Sequence, residues 1–176
     1  TAAKIPNGVV SNAHLAGSID LTSKVTGVLP EANSQQMTPS FKAHRNSNFT
    51  ASDSTTTVIV CDDEEWDTDS AYDTSTGKFT VPSGKAGKYV FYASARNATS
   101  NDTTRFVITI RKGGTGFAQA NNNNGDEDSA IVCGSTTLAV GDEVDCTIYQ
   151  NTGSSRTIFG DSADKTTIFG FRIIGA

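Results

Sequence analysis

From residue 41 onward, the chain consists of short segments in which buried-type and solvent-type side chains alternate. The segment 88–95, KYVFYASA, places Tyr89, Phe91 and Ala93 on one side of an extended chain, and 105–111, RFVITIR, repeats the pattern. A period of two is typical of a β-strand with one face in a core. Such segments recur with no long stretch of helical period, so the pattern predicts an all-β domain of about eight to ten strands, a sandwich or jelly roll.

Two later segments predict how individual strand faces are used. In 167–174, TIFGFRII, the side chains of Phe169, Phe171 and Ile173 lie in register and predict a final strand that is built into the core. In 143–149, EVDCTIY, one face is apolar and the other is expected to be wet, as in an antiparallel sheet with one solvated side. The apolar face consists of Val144, Cys146 and Ile148, and the wet face consists of Glu143, Asp145 and Thr147.

Clusters of Gly, Asn, Asp and Ser separate these segments and are typical of turns. STGK at 75–78, KGGTG at 112–116 and the Gly141–Asp142 pair are expected to be tight turns. The longer polar stretches at 97–102 and 121–128 predict exposed loop tips, where a glycan could be contacted. The candidate contact residues in these loops are Asn97, Asn101, Asp102, Asn122, Asn123 and Asp126.

The first 38 residues differ in composition from the rest of the chain. The nine Phe, four Tyr and single Trp all lie after residue 40, which leaves residues 1–38 without aromatic side chains for a core of their own. Gly17, Gly27 and Pro30 interrupt any long helix, which predicts an extended or briefly helical arm on a domain of residues 39–176. The arm is expected to bury its aliphatic side chains against neighbouring copies or another protein. They are Leu15, Ile19, Leu21, Val25, Val28 and Leu29.

Charge and hydropathy narrow the classes of partner. The net charge of −5, with acids concentrated at 62–69, repels a phosphate backbone and argues against nucleic acid as a partner. No run approaches the roughly 18 apolar residues of a membrane helix, so no membrane insertion is expected. The N-terminus lacks the regions of a signal peptide, and Thr1 is the residue left when an initiator Met precedes a small side chain, which predicts a complete short protein.

The three cysteines are expected to be reduced. Cys61, Cys133 and Cys146 are odd in number, and their spacing matches no zinc module. Their apolar or strand-like surroundings predict buried thiols. Alternatively, Cys133 and Cys146 would face each other if their strands formed a hairpin around residues 140–142, and a disulfide would then join them.

The acidic segment DDEEWDTD at 62–69 is the one cluster with a metal-binding composition. Clustered carboxylates bind Ca²⁺, but this spacing lacks the glycine and terminal glutamate of an EF-hand loop. A solvated acidic loop with no metal or other cofactor is therefore expected, and Trp66 is interpreted as an anchor for that loop, the alternative being an exposed stacking platform for a sugar ring. If Ca²⁺ binds, its candidate ligands are Asp62, Asp63, Glu64 and Asp67.

The chain offers little material for catalysis. Its only histidines are His14 in the arm and His44 in the first strand region, and neither lies beside a plausible nucleophile. Hydrolase, zinc-protease and phosphate-loop motifs do not occur. A protein that is not an enzyme is expected.

Four motifs in the second region occur in a characteristic order. In order and approximate spacing they resemble the C1q/TNF-like domain, over about residues 39–176. The resemblance implies a jelly roll of about ten strands that assembles as a compact homotrimer, and it allows Ca²⁺, which some C1q-like trimers bind. The motifs are YDTSTGKFTVP (72–82), GKYVFYASA (87–95), GSTTLAVGDEVDCTIY (134–149) and TIFGFRIIGA (167–176).

The arm carries a resemblance of its own. Residues 12–33, NAHLAGSIDLTSKVTGVLPEAN, are similar to segments of bacteriophage fibre proteins that commonly precede a globular head. Together, the two resemblances imply a phage virion structural protein, made in the host cytoplasm and placed on the outer surface of the particle. So short an arm leaves no room for a long shaft, which favours a capsid decoration (cement) or head-fibre protein anchored to the major capsid protein or another virion protein.

Two other functions remain open from the sequence. In a receptor-binding tip of a tail fibre, the polar loops of the head would recognise a host surface glycan or protein. A bacterial C1q-like adhesion module, unrelated to phage, would be favoured by a secretion signal, which residues 1–38 do not contain.

Overall fold

The structure is a computed structural model and describes residues 37–97, 105–122, 129–160 and 166–173. The chain divides into two units, residues 1–35 and 36–176, and the description below concerns the second. The predicted boundary between residues 38 and 39 stays a prediction. The predicted arm contacts, Leu15, Ile19, Leu21, Val25, Val28 and Leu29, lie outside the described residues.

The described residues form β-strands joined by turns, which confirms the predicted all-β class. In chain order the strands are β1 (Ser40–His44), β2 (Phe49–Ala51), β3 (Thr57–Val58), β4 (Asp63–Asp67), β5 (Tyr72–Asp73), β6 (Lys78–Thr80), β7 (Gly87–Arg96), β8 (Phe106–Lys112), β9 (Thr115–Asn122), β10 (Ser129–Leu138), β11 (Glu143–Gln150), β12 (Arg156–Ile158) and β13 (Thr167–Arg172).

Two antiparallel sheets contain most of these strands. The first sheet has the order β10-β7-β13-β1-β4, and the second has the order β5-β6-β11-β8-β9, with β3 also paired to β11. The short strands β2 and β12 pair with each other in a separate two-stranded sheet. Neighbours within each sheet are mostly distant in the sequence, since β13 lies between β1 and β7. This arrangement is the jelly-roll sandwich that the motif order implied.

Aromatic rings fill the space between the two sheets. Phe41 of the first sheet stacks on Tyr72 and Phe79 of the second, with ring centroids 4.8 and 5.2 Å apart. Phe79 also meets Phe91 edge to face at 5.6 Å, and Phe91 stacks on Tyr89. All five rings are buried. The predicted core face of segment 88–95 is therefore confirmed.

The predicted turns form as the glycine and aspartate positions require. Gly77 has φ +72°, and its N–H donates to the Asp73 carbonyl oxygen over 2.8 Å. A Cβ at this glycine would lie 2.6 Å from the carbonyl oxygen of Ile59, so both the conformation and the space demand glycine. Hydrogen bonds from Ser75 and Thr76 to the Asp73 carboxylate complete the turn and lower its pKa.

Strand β11 differs in part from the prediction that segment 143–149 has one buried and one solvated face. The apolar face is buried as expected, but Asp145 and Thr147 are also buried, with 8% and 3% of their surface exposed. Asp145 is covered because Arg111, its cross-strand partner, lies over it and donates two hydrogen bonds of 2.7 and 2.6 Å to its carboxylate. The face predicted to be wet is thus closed over the middle of β11, and the pair raises the pKa of Arg111.

The structure differs from the prediction that all three cysteine thiols are buried. All three thiols are free, and Cys133 is exposed, whereas Cys61 and Cys146 are buried. Cys133 and Cys146 do not face each other because β10 pairs with β7 in the first sheet, whereas β11 pairs with β8 in the second. The chain segment between them crosses from one sheet to the other instead of closing a hairpin.

Candidate functional site

The outer surface of the first sheet carries an apolar cluster that we call the aromatic face. It is centred on Tyr92 of β7 and Phe169 of β13, which are cross-strand partners with ring centroids 4.9 Å apart. Both side chains are only partly buried. Val90 and Phe171, also cross-strand partners, lie one pair further along. The aromatic face consists of these four residues, and it points away from the core.

The orientation of the last strand corrects the prediction that Phe169 and Phe171 pack inward. Ile168 is buried, and Gly170 occupies the core position between Phe169 and Phe171. A Cβ at Gly170 would lie 2.5 Å from the Phe91 ring and 3.0 Å from the Phe41 ring. Since those two rings already fill the core at this point, the alternating pleat turns the phenylalanines of β13 outward.

The row that contains Tyr92 and Phe169 continues beyond the aromatic face across the whole first sheet. Successive register partners place Cys133, Tyr92, Phe169, Lys42 and Trp66 in one row from β10 to β4. The Lys42 ammonium lies 5.7 Å from the Trp66 ring centroid. A partly exposed row of this length is typical of a protein–protein contact surface. The outer surface of the second sheet carries the Lys78–Glu143 and Arg111–Asp145 ion pairs.

The predicted acidic loop is in fact an edge strand, β4, with its flanking residues. Among the described strands, β4 pairs with β1 alone, and charged side chains on such an edge oppose pairing with another chain. Three of its carboxylates face basic side chains of β1 and the residue after it. These pairs are Glu65 with Lys42 (2.7 Å), Asp63 with His44 (3.3 Å) and Asp62 with Arg45 (3.3 Å).

The two remaining candidate metal ligands are Asp67 and Glu64, and Asp67 has a local structural role. The Asp67 carboxylate accepts hydrogen bonds from the backbone N–H groups of Asp69 and Tyr72, at 3.2 and 2.7 Å, so it shapes the turn into β5. Partial desolvation and the nearby charge of Asp67 raise the pKa of Glu64. Within residues 37–173, as far as they are described, no cluster of His, Cys, Asp and Glu could hold a metal ion.

The geometry of this sandwich agrees with one family. A family model described as "C1q domain" matches residues 40–173, a range that contains both sheets. The chain belongs to the C1q domain family. C1q/TNF-like domains typically form homotrimers and are generally non-enzymatic binding or structural modules.

Solved structures of C1q and TNF proteins share the fold of this C1q domain. The globular domain of zebrafish complement 1qA is 22% identical, with a TM-score of 0.54, over 77% of this chain and 97% of that one. Eiger TNF from S. frugiperda is 14% identical, with a TM-score of 0.58, over 78% of this chain and 95% of that one. Murine APRIL at pH 5.0 is 13% identical, with a TM-score of 0.57, over 76% of this chain and 99% of that one. No curated protein sequence matches the chain. No helix in the described part of the chain is long and apolar enough to cross a membrane.

Trp66 of the C1q domain does not act as the predicted anchor. Its surface is 46% exposed, and its ring lies on β4 beside Lys42 instead of entering the core. The alternating pleat explains this, because Trp66 is the cross-strand partner of Lys42 and shares its outward direction. The exposure of Trp66 agrees with the alternative, an exposed platform, and its stacking on a sugar ring stays a prediction.

The predicted ligand loops are only partly described. Asn97 is 2% exposed and pairs with Ile158 through a β-bridge, so it is a buried residue and not a loop tip, which corrects the prediction. Asn122 ends β9, and its side-chain amide donates to the Ser129 carbonyl oxygen over 3.1 Å. The other candidates, Asn101, Asp102, Asn123 and Asp126, lie outside the described residues.

The burial of two thiols predicts selective cysteine chemistry. Burial raises the pKa of Cys61 to about 12 and that of Cys146 further, so neither forms the reactive thiolate near pH 8. Titration of the native C1q domain with a disulfide reagent is expected to modify Cys133 alone, and the other two only after unfolding. A Cys133→Ser variant is the control and should not react when folded. Reaction of two or more thiols in the native wild type would contradict this burial.

Proposed function

We propose that the protein is a homotrimeric structural protein of a bacteriophage virion. In this proposal it decorates the capsid as a cement or head-fibre protein, without enzymatic activity, and residues 1–38 anchor it to the major capsid protein or another virion protein. The resemblance of residues 12–33 to phage fibre segments carries the virion role. Membership of a family that forms homotrimers supports the assembly.

The aromatic face is the surface that we assign to trimer assembly. Tyr92, Phe169 and Phe171 are partly exposed, and exposed aromatic side chains gain most from burial against a partner. A cyclic trimer needs a heterologous contact, in which the aromatic face of one copy meets a different surface of the next and the ring closes after three copies. The second sheet would then face outward.

The arm gives the trimer three points of attachment. Its aliphatic side chains, spaced from Leu15 to Leu29, have no aromatic partners in their own segment. If each of the three arms docks on a neighbouring capsid subunit, the second and third docking steps are intramolecular and benefit from a high effective concentration. Weak individual contacts would then hold the trimer on the particle and link the capsid subunits to one another.

Electron microscopy of intact particles tests the proposal. An antibody against residues 39–176, labelled with gold, is expected to decorate the capsid shell over its whole surface. Particles assembled with a variant that lacks residues 1–38 are the control, and they are expected to carry no label because the variant has no anchor. Gold confined to the tail end would overturn the decoration role and support the alternative, a receptor-binding tip that recognises a host surface glycan or protein. Unlabelled particles would refute the virion role.

A further inference from the structure

A shallow depression lies on the outer surface of the second sheet, opposite the aromatic face. It has a volume of about 210 Å³ and is bordered by β3, β8, β9 and β11. Its floor contains Val107 and Thr147, which are both only 3% exposed. Its wall is polar and includes one arginine and one tyrosine. A depression of this size accommodates a ligand smaller than the drug-sized molecules that fill typical protein pockets.

The arginine of the wall is held in position, and within the described residues it has no carboxylate partner. Arg105 lies just before β8, and its guanidinium carbon is 5.6 Å from the ring centroid of Tyr149, a cation–π arrangement that favours one direction of the side chain. Within the described residues, no carboxylate lies within 4.0 Å of it. Arg111, further along the same strand, differs because both of its inner N–H groups bind Asp145. With respect to the described residues, Arg105 therefore keeps its planar set of donors for a ligand.

Neutral hydrogen-bonding groups surround the same space. Thr109 and Gln119 are cross-strand partners, and the Gln119 amide nitrogen donates to the Thr109 hydroxyl over 3.1 Å. This bond fixes the Gln119 carbonyl oxygen as an available acceptor in the wall. Thr56 adds a hydroxyl on an exposed side chain. The site thus combines one cation and one aromatic ring with several hydroxyl and amide groups.

We propose that this depression binds a single carboxylated sugar, such as a uronic or sialic acid residue. A guanidinium binds a carboxylate through two parallel hydrogen bonds, and the threonine and glutamine groups match the hydroxyls of a sugar ring. A polyphosphate or nucleic acid fits less well, because the chain carries a net charge of −5 and would repel an extended polyanion.

A single site of this kind binds its sugar weakly. Binding to a surface polysaccharide therefore depends on how many sites engage it together. The depression is open and buries little of a ligand, which limits the affinity of a single site. If the protein forms the proposed trimer through the aromatic face, three depressions point outward and engage a surface polysaccharide together. Only this avidity rests on the proposed function. Binding of a monosaccharide to one site does not.

Two ligands that differ only in the carboxylate test the site. Methyl β-glucuronide is titrated into the full chain and followed by saturation-transfer NMR, and methyl β-glucoside is the matched neutral ligand. The glucuronide is expected to bind about tenfold more tightly, as one charge-assisted contact allows. Equal binding of the two ligands, or no binding of either at tens of millimolar, would overturn the proposal.

Variants of Arg105 assign the effect to this arginine. Arg105→Ala is expected to weaken glucuronide binding about tenfold, and Arg105→Lys to restore part of it, because lysine keeps the charge but not the planar pair of donors. Lys88→Ala removes an exposed positive charge from the other sheet and should leave binding unchanged. Unaltered binding by Arg105→Ala would refute the assignment. If sulfate displaces the glucuronide at equal concentration, the depression is a general anion site and the sugar assignment fails.

The glucuronide titration and the test of the virion proposal give independent results. Gold labelling reports where the protein sits on the particle, whereas the glucuronide titration uses the purified chain alone. A protein that binds the sugar but labels no particle would keep the site and lose the virion role. A protein that labels the capsid but binds neither ligand would keep the decoration role and lose the site.

Discussion

Replacing Phe91 by alanine is expected to lower the free energy of unfolding by about 3–5 kcal/mol. The Phe91 side chain is completely buried, and its ring contacts the rings of Phe79, Tyr89 and Phe117. The ring also packs on Gly170, where no side chain is available to fill the space that alanine leaves. A cavity would therefore remain between the sheets, and the cost should fall at the upper end of values for aromatic truncation.

Urea unfolding followed by fluorescence, at one fixed protein concentration, measures this loss. The control is Val140→Ala, which also shortens an apolar side chain but at a position that is 54% exposed, and it should change the free energy by less than about 0.5 kcal/mol. If Phe91→Ala unfolds within about 1 kcal/mol of the wild type, the rings do not form the tight core described here.

Replacing Tyr92 by glutamate is expected to convert the proposed trimer into monomers. The new carboxylate would stand beside Phe169 in the middle of the aromatic face, and burying it there without a partner costs several kcal/mol at each of the three contacts. The monomer should stay folded because Tyr92 points away from the core. Light scattering after size-exclusion chromatography is expected to give the 18.5 kDa mass of one chain.

The matched control is Val140→Glu, the same kind of change in the turn between β10 and β11, and it should remain trimeric. Cys133 supplies a second readout, since it is the cross-strand partner of Tyr92 and should react faster with a thiol reagent in the monomer. If the Tyr92→Glu protein keeps the mass of a trimer, the aromatic face is not part of the interface. A wild type that is monomeric at all concentrations would refute the trimer itself.

The strands were predictable because their signal is local. The alternation in 88–95 and the glycine and aspartate of the turn at Gly77 depend on neighbouring residues only, and both are confirmed. Pairing between strands is not local, which is why the sequence left open a hairpin between Cys133 and Cys146. β10 pairs with β7 instead, and β11 pairs with β8. The residues that connect β10 to β11 do not predict this pairing.

The candidate surfaces were harder to predict for a related reason. Both faces of β13 offer large apolar groups, Ile168 on one and Phe169 with Phe171 on the other, so hydrophobicity alone favours the phenylalanines as core. Gly170 is the deciding signal, because a glycine in a strand marks the place where another group approaches the backbone closely. Arg105 carries no such signal. A single arginine before a strand acquires meaning only when folding places it over Tyr149.

The position of β13 sets the order of events during synthesis. This strand emerges from the ribosome after the other described strands, yet it lies in the middle of the first sheet, between β1 and β7. Until it arrives, β1 and β7 each lack a neighbour, and contacts between residues so far apart in the chain form slowly. The domain therefore folds as a whole only after β13 has been made. Because Phe169 and Phe171 of the aromatic face belong to β13, assembly of the proposed trimer would also wait for this last strand.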